Sequence, residues 1–227
     1  MLNNIFKFLF LLFLRLPESP LKKAAREIFY GEVVTERIIE YPLVFSFLDY
    51  RGARENRKVL DIGCYYSNLP IQLASMGFNV TGVDLQDYQL THPNFIFKKG
   101  DIRKIKLSGK FDIVTAISTI EHIGLDFYKE GEKEEGDIEV VKAINKLLRP
   151  KGIFILSIPF GRKGKTDSYR SYDWESIINL LKGFKIKKAL FFKDTRTKWG
   201  LVEKNQALTV DNVTKVKGAG FFVAEKK

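Results

Sequence analysis

The stretch VLDIGCYYSNLP, residues 59–70, runs from a short apolar segment through a turn into a helical segment. An apolar strand, a glycine and then a helix are typical of the first unit of a sheet that binds a nucleotide-like ligand at its strand ends. Such turns usually contain three glycines, whereas this one contains only Gly63. The stretch therefore predicts the fold and raises the question of whether its loop can still hold a ligand.

Apolar, β-rich segments alternate with helical segments from residue 57 onward. Seven strands are predicted, at 58–63, 78–84, 95–101, 111–118, 152–159, 183–193 and 218–227, and three helices at 69–76, 138–148 and 174–181. Asp137 and Asp173 stand where the N-caps of the last two helices are expected. This alternation predicts an α/β fold, a three-layer doubly wound, mostly parallel sheet. No helix separates the last two strands, so we expect the last strand to be antiparallel, in a pair at one edge.

The region before this domain has a different character. We divide the chain into an N-terminal hydrophobic arm with cap helices, residues 1–52, and a main domain, residues 53–227. The apolar run 8–13 is shorter than the roughly 20 residues that span a bilayer, and no small-residue cleavage site follows it. Two interpretations stay open for residues 1–16: a helix in the membrane interface, or an arm packed on the domain or on a second subunit. Helices are predicted at 20–29 and 33–48, the second with Pro42 inside.

Composition limits the classes of function. The 227 residues are 45% hydrophobic and 29% charged, as in a globular protein. The net charge of +11 fits nucleic acid, an anionic membrane or simply a lysine-rich surface. The single cysteine permits no internal disulfide and indicates a reducing, cytoplasmic location. A peripheral position at the membrane is expected if residues 1–16 form the interface helix. No cysteine–histidine spacing of a zinc site occurs, so no metal is expected.

Polar residues cluster at the carboxyl ends of the predicted strands, where parallel sheets bind ligands. Asp84 ends the second strand and Asp101 the third; an acid about 20 residues after the turn can bind ribose hydroxyls. The other strand-end residues are Asp61, Gly63, Cys64, Ser118, Glu121 and His122. Strand-end acids are also common as turn formers, but three at matched positions favour a binding edge.

The ordered motifs VLDIGC (59–64), VTGVDL (80–85), KKGDI (98–102), FDIVTAISTIEHIG (111–124) and LLRPKGIFILSIPFG (147–161) resemble those of class I S-adenosylmethionine-dependent methyltransferases. The resemblance covers about residues 57–226 and implies S-adenosylmethionine as the cofactor. It implies that the methionine end of the cofactor is lined by Asp61, Gly63, Cys64 and Tyr65. The ribose and one adenine face would be held by Asp84 and Leu85, and the adenine edge by Asp101 and Ile102. The Ser118 backbone would contact the amino group of the cofactor.

The chain departs from the family pattern D-x-G-x-G-x-G, because Tyr65 and Ser67 replace its second and third glycines. S-adenosylmethionine has no pyrophosphate, so the closest backbone approach is expected only at Gly63. Tyr65 and Tyr66 are then expected to line one side of the pocket for the methionine end of the cofactor. Ser67 is expected to cap the next helix.

Methyl transfer requires an acceptor atom held in line with the methyl group. For a hydroxyl acceptor, His122 with Glu121 is the candidate base at the fourth strand end; a structural or substrate-positioning role for His122 stays open. A fainter resemblance to enzymes of surface-glycan biosynthesis implies that Tyr128, Arg170 and Tyr172 face the acceptor. The alternative for Tyr172 is packing under the last helix.

The sequence thus predicts a methyltransferase, O-directed on a glycan, lipid-linked or small-molecule acceptor. Two alternatives remain: an RNA methyltransferase, favoured by the net charge, and a non-catalytic binding protein with this fold. A nicotinamide-dependent oxidoreductase is disfavoured, since the glycines that a pyrophosphate requires are missing.

Overall fold

The computed structural model describes residues 35–48, 57–126, 133–195, 198–213 and 216–227. The predicted hydrophobic arm, the helix at 20–29 and Tyr128 lie outside these residues. The strands are β1 (Lys58–Ile62), β2 (Asn79–Asp84), β3 (Phe95–Lys99), β4 (Phe111–Ile117), β5 (Leu148–Pro159), β6 (Gly164–Lys165), β7 (Arg170–Ser171), β8 (Phe184–Asp194), β9 (Trp199–Val202) and β10 (Gly218–Lys226). The helices are α1 (Arg37–Phe47), α2 (Leu69–Ser75), α3 (Gly136–Leu147), α4 (Trp174–Leu180) and α5 (Lys204–Ala207), with a 3-10 turn at Ile120–His122.

The main sheet has the strand order β3-β2-β1-β4-β5-β10-β8-β9. Strands β1 to β5 pair in parallel, and β10 pairs antiparallel with both β5 and β8. The predicted mostly parallel sheet with an antiparallel last strand is therefore confirmed. The carboxyl ends of β1, β2, β3, β4, β5 and β8 all meet at one edge of this sheet.

The expected antiparallel pair of the last two predicted strands is present as β8 and β10, and β9 lies outside it at the edge of the sheet. Within the pair, β10 lies between β5 and β8. Residues 218–224 of this strand are all buried, as in an interior strand that is covered on both faces. The described residues also form eight strands in this sheet, not seven, because β9 returns antiparallel along β8. The return is closed by a hydrogen bond of 2.9 Å from the Thr195 N–H to the Lys198 carbonyl.

Helices cover both faces of the sheet, which makes three layers. Successive residues of a strand point to opposite faces, and so Val59 and Leu60 of β1 belong to different buried clusters. One cluster joins the sheet to α1 and α2, and the other joins it to α3 and α4.

The two predicted N-caps have different outcomes. Asp173 caps α4, because its carboxylate accepts hydrogen bonds from the N–H and the hydroxyl of Ser176, at 2.8 and 2.6 Å. The prediction for Asp137 was wrong: α3 begins at Gly136, so Asp137 lies inside its first turn. Its carboxylate is buried and accepts a hydrogen bond of 2.7 Å from the Tyr172 hydroxyl. The other oxygen of this carboxylate accepts the Ile138 N–H of α3 at 2.9 Å, so Asp137 joins the start of its own helix to Tyr172.

Candidate cofactor and active site

Gly63 turns the chain directly after β1, at the edge where the parallel strands end. Its φ of +78° lies in the left-handed region that favours glycine. A Cβ at this position would lie 2.2 Å from Thr119 Oγ1 and 2.4 Å from its Cγ2. The Thr119 hydroxyl is itself bonded to the carbonyls of Ile62 and Ile117, at 3.2 and 3.0 Å. Glycine is thus required here both by the backbone angle and by the approach of the β4 loop.

The rest of the loop does not use conformations that need glycine. None of residues 64–67 has a positive φ, although Tyr65 and Ser67 replace family glycines. The N-cap of α2 is Asn68 and not Ser67 as expected, and its side chain makes no capping bond. The Ser67 hydroxyl, one residue earlier, accepts a hydrogen bond of 3.1 Å from the Leu69 N–H and lies 2.8 Å from the Tyr41 hydroxyl of α1. Tyr65 is 38% exposed, and its ring lies 4.2 Å from that of Tyr66. The Tyr65 side chain therefore lies at the surface rather than in the core.

Asp84, at the end of β2, links the loop to the neighbouring strand. One carboxylate oxygen accepts the Tyr65 N–H at 2.9 Å, and the other accepts the Gln86 N–H at the same distance. A carboxylate oxygen has two lone pairs, so these bonds orient the group and still allow each oxygen a second donor. Leu85 is half-buried beside it. This arrangement suits a ligand that presents a pair of hydroxyls.

Asp101 follows β3 and is held by its own loop. Its carboxylate accepts hydrogen bonds from the Arg103 guanidinium at 2.7 and 3.0 Å and from the Arg103 N–H at 2.8 Å. Burial alone would raise the pKa of Asp101, but the bonds from Arg103 outweigh it and hold this pKa below its usual range. Ile102 is buried. The predicted contact of Asp101 with an adenine edge thus involves a carboxylate already bound to an arginine.

Asp61 and Cys64 flank Gly63 and are both buried. Asp61 accepts a hydrogen bond from the Thr115 hydroxyl of β4. Burial, and then the charges of Asp61 and Asp84, raise the pKa of the Cys64 thiol far above its usual range. Cys64 is therefore a neutral thiol in the wall of the loop.

Ser118 directly follows β4 and has a φ of +47°, which is rare for a residue with a side chain. Its N–H donates to the carbonyl and hydroxyl oxygens of Ser157, at 3.2 and 3.0 Å. Its hydroxyl donates to Glu40 of α1 at 2.7 Å, and Glu40 is only 1% exposed. Strained residues of this kind cluster at functional sites. Sequence reasoning missed Glu40; its signal is an acidic residue among the apolar ones of RIIEYPLVF.

Glu121 and His122 lie in the 3-10 turn that follows Ser118 and Thr119. Glu121 is buried, and its carboxylate lies 3.9 Å from His122 Nε2. His122 Nδ1 bonds to the carbonyl of Ser168 in the segment between β6 and β7. A carbonyl only accepts, so this bond places the proton on Nδ1 and the lone pair on Nε2. The imidazole side chain is 28% exposed and can be reached from outside.

Arg170 and Tyr172 were expected to face the acceptor, but both side chains are bonded to other parts of the chain. The Arg170 guanidinium donates to the carbonyls of Ile123 and Glu134, at 2.6 and 3.1 Å. Tyr172 is 4% exposed and donates to Asp137. Burial, followed by the charge and the hydrogen bond of Asp137, raises the Tyr172 pKa. Tyr172 thus fastens the β7 segment to α3, and Arg170 fastens it to the backbone at Ile123 and Glu134.

The structure brings most of the predicted residues to one edge. Gly63 contacts the Thr119 loop, Tyr65 contacts Asp84, and His122 follows three residues after Thr119. The fit to S-adenosylmethionine rests on the Asp84 carboxylate, whose oxygens can each accept a further donor, and on a Gly63 turn with no room for a Cβ. Within the described residues, no group of three or more histidine, cysteine or acidic side chains could hold a metal ion. None of the described helices is long and apolar enough to cross a membrane.

Comparison with known proteins identifies the family. Residues 31–191 match the model of a methyltransferase domain family, and the chain belongs to this family. It is 29% identical over 151 residues to the ubiquinone biosynthesis O-methyltransferase of Pseudomonas aeruginosa (strain UCBPP-PA14), covering 62% of this chain and 60% of the relative. It is 30% identical over 127 residues to the protein of that name from Dechloromonas aromatica (strain RCB), covering 51% and 50%. The chain thus spans between half and three fifths of these relatives.

Solved structures show the same fold. The magnesium protoporphyrin IX methyltransferase of Synechocystis PCC 6803, with bound S-adenosylmethionine, aligns with a TM-score of 0.60, 19% identity and 92% coverage of both chains. A methyltransferase from Methanosarcina mazei aligns with a TM-score of 0.55 and 18% identity, covering 82% of this chain and 97% of its own. The expected class I methyltransferase fold is confirmed, and S-adenosylmethionine is the cofactor that the family indicates.

Proposed function

We propose that this chain is an S-adenosylmethionine-dependent O-methyltransferase in which His122 is the general base for a hydroxyl acceptor. The observation that carries the proposal is the His122–Glu121 pair, placed on the loop that packs against Gly63. Two relatives with O-methyltransferase in their names support the choice of oxygen as the acceptor atom. We favour a small-molecule acceptor; glycan and lipid-linked hydroxyls stay predictions of the sequence.

The cofactor-binding roles follow from the strand ends. When bound, S-adenosylmethionine supplies a methyl group on a positively charged sulfur. We propose that Asp84 accepts hydrogen bonds from its ribose hydroxyls, since this carboxylate is already oriented by two N–H groups. Gly63 would let the backbone pass close to the methionine end, and the Ser118 carbonyl oxygen would accept from the amino group. Asp101 and Ile102 would border the adenine.

His122 is oriented to accept a proton at Nε2. Its Nδ1 proton is held by the Ser168 carbonyl, so the acceptor hydroxyl would give its proton to Nε2. The imidazolium that results would be stabilised by the Glu121 carboxylate, 3.9 Å away. Since Glu121 is buried, this attraction is screened less than it would be in water. The chain's own residues therefore orient the base and stabilise its charged form.

Cofactor binding is tested first, by calorimetry of the full chain with S-adenosylmethionine. We expect Asp84→Asn to weaken binding by at least about tenfold, the size of one lost charge-assisted hydrogen bond. Asp87→Asn is the matched control: it makes the same change three residues away, where the side chain is exposed and paired with Lys99, and should bind like the wild type. Failure of the unmodified chain to bind would favour a non-catalytic binding protein.

The base is tested by methyl transfer from labelled S-adenosylmethionine to a panel of phenols, sugars and lipid-linked sugars. With the acceptor that reacts, we expect His122→Gln to lower kcat by about 10²–10⁴-fold with little change in KM. His92→Gln, which changes the chain's only other histidine, is the control. Full turnover by His122→Gln at neutral pH would remove His122 from this role.

The net charge of +11 supports RNA as a second candidate acceptor. An RNA methyltransferase should bind mixed RNA with an affinity that falls steeply with salt. Absence of such binding at low salt would exclude this alternative. A membrane contact through residues 1–16 also stays a prediction. It would be abandoned if removal of these residues left binding to anionic vesicles unchanged.

A further inference from the structure

A small cavity opens beside the carboxyl end of β5, where the hairpin of β6 and β7 leaves the sheet. Its volume is about 150 Å³, and it is enclosed by the hairpin and by residues 211–213. The hairpin is anchored to β5, because the Tyr172 N–H donates to the Pro159 carbonyl at 3.0 Å and the Gly161 N–H to the Tyr172 carbonyl at 2.8 Å. The hairpin thus begins at the end of β5, the strand that pairs with β4.

The lining of this cavity is strongly basic. Arg162, Lys163 and Lys165 line it, and Asp211 is the one acidic side chain among its lining residues. The formal charges of these four groups sum to +2. Both Arg162 and Lys163 are exposed, so their charged ends can be reached by a ligand. A concave site with this charge balance favours an anion.

The walls of the cavity are held in place by buried polar contacts. Asn212 is buried; its side-chain amide donates to the Ser171 hydroxyl at 2.8 Å, and its oxygen accepts the N–H groups of Lys217 and Gly218, at 2.8 and 2.9 Å. The Arg162 N–H donates to the Val210 carbonyl at 2.8 Å. The shape of the cavity is therefore fixed before any ligand binds, which reduces the entropy lost on binding.

Two consecutive residues connect the cavity to the candidate base. The Ser168 carbonyl accepts from His122 Nδ1. The Tyr169 ring, which lines the cavity, stands edge-on to the His122 ring with 6.3 Å between the ring centres. The Tyr169 hydroxyl is tied to the Asn212 carbonyl. The segment that lines the cavity is therefore in direct contact with the His122 imidazole.

We propose that this cavity binds the anionic group, a carboxylate or a phosphate, of an acceptor whose hydroxyl lies at His122. The inference rests on the proposed function and adds to it the charge of the acceptor. Arg170, which was expected to face the acceptor, donates from its guanidinium to two backbone carbonyls. Arg162 and Lys163 supply the positive charge instead.

The test uses the full chain saturated with S-adenosylhomocysteine, so that binding is measured without turnover. The probes are 3,4-dihydroxybenzoate and catechol, which differ by one carboxylate. We expect the carboxylate probe to bind at least about tenfold more tightly, the gain of one charge-assisted contact. We expect Arg162→Gln/Lys163→Gln to abolish this difference. Lys182→Gln/Lys185→Gln, which removes the same charge from exposed positions at the amino end of β8, should keep it.

Equal affinity for the two probes, no detectable binding of 3,4-dihydroxybenzoate, or an equal loss in both double variants would overturn the proposal. Competition by inorganic phosphate and by benzoate identifies the preferred anion. Turnover with S-adenosylmethionine separates this inference from the proposed function. If both probes are methylated with equal KM, the function stands and the anion site fails. Selective binding without methylation of any acceptor leaves the anion site and refutes the function.

Discussion

Gly63→Ala is the substitution whose effect the structure defines most fully. The added Cβ would meet Thr119 Oγ1 at 2.2 Å and Cγ2 at 2.4 Å. The Thr119 side chain cannot simply rotate away, because its hydroxyl is bonded to two carbonyls. Alanine must also adopt the φ of +78° that glycine has here. The substitution therefore has two separate costs, one of backbone conformation and one of packing.

The two costs can be estimated and separated. A residue with a Cβ in the left-handed region costs about 1–2 kcal/mol, and overpacking costs about 1–3 kcal/mol, so the free energy of unfolding should fall by about 2–5 kcal/mol. Gly77 isolates the first term: its φ is +94°, and a Cβ there would meet nothing within 4 Å. The difference between Gly63→Ala and Gly77→Ala then gives the packing cost.

The assay is equilibrium urea unfolding of the full chain, with calorimetry of S-adenosylmethionine binding alongside. Thr119→Ala in the Gly63→Ala background removes the two closest atoms and leaves the Thr119 Cβ contact at 2.9 Å. It should therefore restore part of the lost stability, which a double-mutant cycle measures. Equal destabilisation by Gly63→Ala and Gly77→Ala, with no coupling to Thr119, would refute the close packing of the β1 and β4 loops.

Three further predictions concern Asp101, Asp137 and Cys64. The bonds from Arg103 lower the pKa of Asp101 and so stabilise the fold above the unfolded-state pKa of about 3.9. This stability is lost as the pH falls through the lowered pKa of Asp101. Arg103→Ala should therefore move acid unfolding, followed by circular dichroism, to higher pH. An unchanged midpoint pH of unfolding would contradict this prediction. Tyr172→Phe leaves the buried Asp137 without its hydroxyl donor and should lower the free energy of unfolding in urea by about 1–3 kcal/mol. A decrease below roughly 0.5 kcal/mol, the level of a surface change, would contradict this prediction. Cys64 should react with iodoacetamide only after unfolding, because burial raises its thiol pKa; alkylation of the native chain would show otherwise.

The parallel part of the sheet could be predicted because its signals are local. Each of β1 to β5 is an apolar segment next to a turn or a helix, and the polar residues at its end follow in sequence. The place of β10 could not be predicted in this way, since strand order depends on contacts between distant segments. The burial of both its faces is the physical sign of an interior strand. The four residues of β9 were too few to give a pattern, and Leu201 is exposed.

The candidate site was predictable to the same extent. Asp84 and His122 were found because strand ends converge in a parallel sheet. The directions in which the Arg170 and Tyr172 side chains point could not be predicted. Their hydrogen-bond partners are carbonyls and a carboxylate in segments more than 30 positions away. Glu40 was missed because its partner, Ser118, is 78 positions distant. Sequence position thus indicates the edge where a residue lies, while long-range hydrogen bonds decide where its side chain points.

The loop with a single glycine shows which part of the family pattern is a physical requirement in this chain. Within this loop, only Gly63 combines a positive φ with a neighbour that excludes a Cβ. Tyr65 and Ser67 have ordinary backbone angles, and each contributes a contact: the Tyr65 N–H holds Asp84, and the Ser67 hydroxyl bonds the start of α2. Glycine at position 67 would remove that hydroxyl, and glycine at either position would add freedom to the unfolded chain. The loss of two family glycines is therefore compatible with a loop whose shape is fixed by specific hydrogen bonds.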